Sequence, residues 1–88
     1  MRTLSSEEHR EARDLIFQTN KNGKVSMVVF PEKTSVQIHH AKQIAEIMFL
    51  DRVTEGIDSA SFLVFDLSQE ELDFGKENLK KLGCVIVL

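Results

Sequence analysis

The sequence predicts an α/β domain, a small two- or three-layer fold in which an N-terminal helix precedes a βαβαβ core. Three observations carry this expectation. Phe62-Leu63-Val64-Phe65 is an unbroken run of large apolar residues between polar boundaries, the pattern of a strand covered on both faces. Val25–Phe30 and Cys84–Leu88 are two further apolar runs of strand length. Between and before them, Ser5/Glu8, Thr34/Gln37 and Ser68/Glu71 have the spacing at which a helix-capping hydroxyl and a residue three positions on satisfy each other's free amides.

In chain order, the first helix starts at Ser5, with Glu7, Glu8 and Glu11 favouring the positive end of its dipole. Its apolar stripe is only Ala12, Leu15 and Ile16, with Glu8 and Thr19 continuing that face, so it is thinly anchored. Asn20-Lys21-Asn22-Gly23 is the strongest turn signal, because Asn and Gly tolerate positive φ. A hairpin through this turn is the competing reading; the charge-rich stretch from Glu8 to Asp14, poor in β-branched residues, favours the helix. Val25–Phe30 is then a strand, closed by Pro31.

The second helix begins at Thr34 and runs through at least Met48. Ala41, Ile44, Ala45 and Met48 form its buried stripe with Ile47 beside it, and His39, Lys42, Gln43 and Glu46 lie opposite. Phe49–Ile57 admits two readings. If the helix continues, Gly56 ends it and the βαβαβ order follows. If it stops near Met48, Leu50–Glu55 holds a short edge strand turning near Asp58 into the Phe62 strand, and the order is the ferredoxin-like βαββαβ of an α+β fold. The third helix starts at Ser68, buries Leu72, Gly75, Leu79 and Leu82, and ends at Lys80-Lys81 before Gly83. Its short crossover predicts that Phe62–Asp66 and Cys84–Leu88 pair in parallel, and the apolar character of the last strand predicts a place inside the sheet.

Composition bounds the function. With 88 residues the chain is expected to be one domain, 1–88, with a small core. The formal charge is -3 and no segment concentrates basic residues, against the footprint of a nucleic-acid binder. There is no Trp or Tyr from which to build a base-stacking platform. One cysteine, Cys84, permits no internal disulfide, and a reducing cytoplasm fits best. The charged stretch Met1–Glu8 has no apolar signal segment, and no window is apolar enough to span a membrane.

Motifs for chemistry are sparse. Asp66 stands at the carboxyl end of the Phe62 strand, where open α/β sheets place ligands and phosphoacceptor aspartates, but no second acid is near in sequence. Phe65-Asp66-Leu67-Ser68 resembles the strand before the switch serine of anti-sigma-factor antagonist domains, without their Asp-Ser-Ser-Gly-like motif. His39 and His40 diverge by about 100° on a helix, so they do not form a metal pair, and His9 is remote. Cys84 opens an apolar strand, the setting of an inert thiol. Asp73-Phe74-Gly75 matches the kinase magnesium motif in letters only, inside a helix. No metal and no cofactor are expected.

The surplus is apolar. Phe49, Leu50 and Val53 overfill the one buried face of their segment, and Phe74 lies far around its helix from Leu72. Either the N-terminal helix or a second core layer covers them, or they form a surface for self-association or a protein partner. The expectation is therefore a non-catalytic protein-binding or regulatory module, with a homodimer or another protein as partner and no nucleic acid or membrane. A small-molecule-binding regulatory domain is the alternative: read as βαββαβ, Val25–Leu88 resembles amino-acid-binding ACT modules in order. It departs from them in carrying Pro31-Glu32-Lys33-Thr34 where they commonly have a glycine. A switch domain phosphorylated on Asp66 is a further alternative.

Overall fold

A computed structural model of the chain describes residues 3–32 and 34–88. Lys33 of the Pro31–Thr34 segment, and Met1 and Arg2 of the charged amino terminus, lie outside them. The elements are α1 (Ser6–Thr19), β1 (Val25–Phe30), α2 (Ser35–Phe49), a 3-10 turn (Leu50–Arg52), β2 (Val53–Glu55), β3 (Phe62–Leu67), α3 (Gln69–Lys81) and β4 (Val85–Val87). They form a small mixed helix and strand fold around one four-stranded antiparallel sheet ordered β2-β3-β1-β4.

Two of the three predicted capping boxes close in both directions, and at Thr34 only the hydroxyl half forms. The Ser5 hydroxyl accepts from the Glu8 amide while the Glu8 carboxylate accepts from the Ser5 amide, and Ser68 and Glu71 repeat the arrangement. Thr34 accepts from the Gln37 amide at 3.3 Å. Asn22 and Gly23 both have positive φ, with the Lys24 amide donating back to the Lys21 carbonyl, so the turn has the type I′ pattern while joining a helix to a strand.

Val53–Glu55 decides the order of elements. It pairs antiparallel with β3, Val53 opposite Val64 and Glu55 opposite Phe62. After the N-terminal helix the chain therefore runs βαββαβ. Gly56 does not end a helix; a Cβ there would sit 2.5 Å from Ser61 Oγ and 2.9 Å from the Phe62 nitrogen, so this tight return to β3 requires glycine.

Two strand expectations need correction. β3 and β4 do not pair: each pairs antiparallel with β1, which lies between them, Val29 opposite both Phe62 and Ile86. They run in the same direction, but the α3 crossover skips one position. The slot between goes to β1, whose Met27, Val28, Val29 and Phe30 are wholly buried and need cover on both faces. β4 consequently stands at the edge of the sheet, not inside it.

The sheet divides two apolar clusters. On one face Met27, Val29, Phe62 and Val64 pack with Ala41, Ala45 and Phe49 of α2 and Leu72 and Leu79 of α3. On the other, Val28, Phe30, Leu63 and Val87 are covered by Ala12 and Ile16 of α1. The result is a three-layer arrangement with two helices on one side and one on the other. Ser26, buried on the α1 side, has its hydroxyl satisfied by Thr19 at 2.9 Å. Gly75 lets α3 approach: a Cβ would lie 2.5 Å from the tip of the Phe49 ring.

Candidate functional site

The expected apolar surface does not form as a unit. Phe49 is 2% exposed and belongs to the core, because α2 ends on it and the missing side chain of Gly75 makes room for its ring. Val53 is half-buried and packs on the same cluster. Leu50 and Phe74 remain in solvent, at 73% and 57% exposure. Phe17, Val36 and Ile47 are also exposed, on α1 and α2, and spacing alone did not mark them out.

Asp66 is exposed, but the premise that singled it out fails. A ligand crevice beyond the carboxyl ends of strands belongs to parallel sheets, and this sheet is antiparallel throughout. The structure places Asp66 at an irregularity of the β1–β3 ladder. Between the pairs Val25–Leu67 and Met27–Val64, one β1 residue faces two on β3, and Asp66 takes φ 58 in that bulge.

Arg52 holds the bulge and was not foreseen. Its Nη1 donates to the Asp66 carbonyl at 3.2 Å, its Nε to the Phe49 carbonyl at 3.3 Å, and its Nη2 to Glu71 Oε2 at 2.8 Å. The guanidinium also lies 5.7 Å from the centre of the Phe49 ring. One side chain thereby ties the end of α2, the β3 bulge and the α3 cap. The hydrogen bond from Arg52, then that from the Ser68 amide, holds the Glu71 carboxyl at about 2. Next to this clamp Leu50 has φ 55 and ψ -123, a region that favours glycine.

A groove of about 830 Å³ lies between α2 and the β2–β3 return. His39, Lys42, Gln43 and Glu46 line one wall, Glu55 and Ile57–Ser59 the other, with Ile38 and Phe62 contributing apolar surface. The helix face read from sequence as opposite to the core is thus one wall of a groove. The return is rigidified by Ser61, whose hydroxyl accepts from the amides of Ile57 and Asp58 at 3.0 and 3.3 Å. His39 lines this groove and His40 does not, as their angular separation requires. Among the described residues no group of three or more His, Cys, Asp or Glu is placed to hold a metal ion.

Cys84 is buried, and burial first, with Glu32 adding to it, pushes its thiol up to about 11. Little thiolate is present at neutral pH, so the side chain behaves as a small apolar group. No helix among the described residues is long and apolar enough to cross a membrane.

The remaining feature is the outer edge of β4. Val85-Ile86-Val87-Leu88 has no charged side chain and no proline, and among the described residues no strand pairs with its outer side. Val85 and Ile86 are half-buried and Leu88 is 44% exposed. Comparison of the chain with protein-family models, with curated proteins and with solved structures found no match.

Proposed function

We propose that the protein is a non-catalytic interaction module that binds a protein partner by strand addition at the outer edge of β4. The observation that carries this reading is the edge itself: a row of main-chain donors and acceptors flanked by Val85, Ile86 and Leu88, with no charged side chain on the strand. A cytoplasmic setting suits a chain whose one thiol is buried and unpaired. Leu50 and Phe74, exposed on the α2 and α3 side, are the competing surface.

Substitution separates the two surfaces. Leu88→Lys should abolish concentration-dependent protection of the β4 amides in hydrogen exchange, and Phe74→Asp should leave it unchanged. The reverse pattern would move the binding surface to α3 and sink the edge reading. The groove beside α2 favours a second reading, a small-ligand site, because apolar and charged groups converge there. A thermal-shift screen with amino acids and nucleotides tests it, and stabilisation lost in Lys42→Ala is the supporting result.

A further inference from the structure

Resting on the edge reading, we propose that the strand added at β4 is β4 of a second copy, in antiparallel register about Ile86, with the charged outer flank of α3 in each copy facing that of the other. Antiparallel pairing of identical strands has a two-fold axis perpendicular to the sheet, so every side chain keeps its face. Centred on Ile86, it sets Ile86 against Ile86 on the α3 side and Val85 against Val87 on the α1 side. Two four-stranded sheets then become one continuous sheet with like layers adjoining. The other edge offers no such match, since β2 carries exposed Thr54 and Glu55.

Charge on α3 supplies the second half of the argument. At about 100° per residue, Leu72, Gly75 and Leu79 face the sheet, and the helix has two flanks beside them. Glu71, Phe74 and Asn78 form one flank, and Glu71 bonded to Arg52 at the head of β2 fixes it toward the β2 side. Gln69, Asp73, Lys76 and Lys80 form the other, linked at its start by the Gln69 to Asp73 hydrogen bond of 3.1 Å. β2 and β4 are at opposite edges, so this second flank overlooks the open β4 edge.

The flank is acidic at its start and basic toward its end, and neither Lys76 nor Lys80 has an ion-pair partner among the described residues. The two-fold axis makes the two α3 helices antiparallel, bringing Asp73 of each copy to the Lys76–Lys80 segment of the other. α3 lies over β1 and reaches β3 and β4 alike, so the two α3 axes stand three strand spacings, about 14 Å, apart across the seam, a gap that Lys and Asp side chains reaching from both sides can bridge. One symmetry operation makes the Asp73 to Lys80 attraction twice, with Lys76 of each copy beside the axis.

The test is a charge exchange on the full chain, read by sedimentation equilibrium with far-UV circular dichroism as the folding control. Asp73→Lys alone and Lys80→Glu alone should each weaken self-association by about tenfold at low salt, because each sets like charges together twice. An equimolar mixture should recover association as a heterodimer to within about threefold of the original. High salt should shrink all these differences. Variants that associate as well as the original chain, or a mixture that recovers nothing, would overturn the α3 arrangement. An original chain monomeric at every concentration would overturn the second copy as occupant. In that case β4 amides protected by an added peptide of β4 sequence, solubilised with flanking lysines, would show that the edge reading stands without it; no protection would remove both.

Discussion

The two edges of the sheet are finished in opposite ways. β2 enters through a 3-10 turn, is clamped by Arg52, exposes Thr54 and Glu55, and leaves through a glycine return with no room for a side chain. β4 enters from Gly83 and carries only apolar side chains, with Val87 buried, Val85 and Ile86 half-buried and Leu88 exposed. Both are three-residue strands with one partner each. The difference shows where this fold spends polar side chains: on the edge beside α2, where an uninvited strand meets charge, and not beside α3, where it meets hydrocarbon.

The largest expected effect lies on the β2 side. Gly56→Ala forces a methyl group against the backbone of Ser61 and Phe62, and should cost about 3 kcal/mol or prevent folding, as urea denaturation would measure. The corresponding change at the β4 entry, Gly83→Ala, meets no atom closer than 3.6 Å and costs only the strain of φ 88. Equal losses at the two glycines would erase the contrast between the edges.

Next in size is Arg52→Ala, which frees the Phe49 and Asp66 carbonyls and unpairs Glu71. Tm should fall by about 5 °C. The variant should also change the acid limb. Glu71 has its carboxyl lowered from 4.5 to about 2 in the folded chain, so its contribution is complete above the unfolded value and is lost as pH falls from about 4.5 toward 2. Without Arg52 that loss should be smaller, and urea melts between neutral pH and about pH 2 would show it. An unchanged acid limb would mean that the Ser68 cap alone holds Glu71.

The smallest effect on stability, and the sharpest on the comparison, is expected from Leu88→Lys. It places a charge on the β4 edge as Glu55 does on β2, and should leave the unfolding free energy within about 0.5 kcal/mol while removing self-association in light scattering.

Much of the fold was written locally. Helix starts at Ser5 and Ser68 were legible because a capping box is a four-residue signal, and β1 because Pro31 ends it. The alternative order βαββαβ was legible too, but choosing it depended on three residues, Val53–Glu55, that have no periodicity of their own and are fixed by β3. Strand neighbours were misread because the Phe62 and Cys84 runs are joined by one helix, and nothing local reveals that β1 lies between them. The candidate sites were less legible. Phe49 reads as surplus from spacing alone because the space for its ring is made by Gly75, far along the chain, and Arg52 carries no motif: its three acceptors come from α2, β3 and α3. The charge order on one flank of α3 was in the sequence, but its meaning depends on which sheet edge it overlooks.

The single helix on the α1 face has a consequence for how the molecule opens. α1 holds that whole side of the sheet through Ala12, Ile16, the half-buried Leu15 and the Thr19 to Ser26 hydrogen bond, whereas α2 and α3 share a larger cluster with each other and with the sheet. Local opening is therefore expected along the α1 seam first, as a subglobal unit lifting from an intact βαββαβ body, which native-state hydrogen exchange would show as early loss of protection in α1. In its opened form the molecule would bare Val28, Phe30 and Leu63 on β1 and β3, turning a covered sheet face into sticky surface for as long as the helix is away.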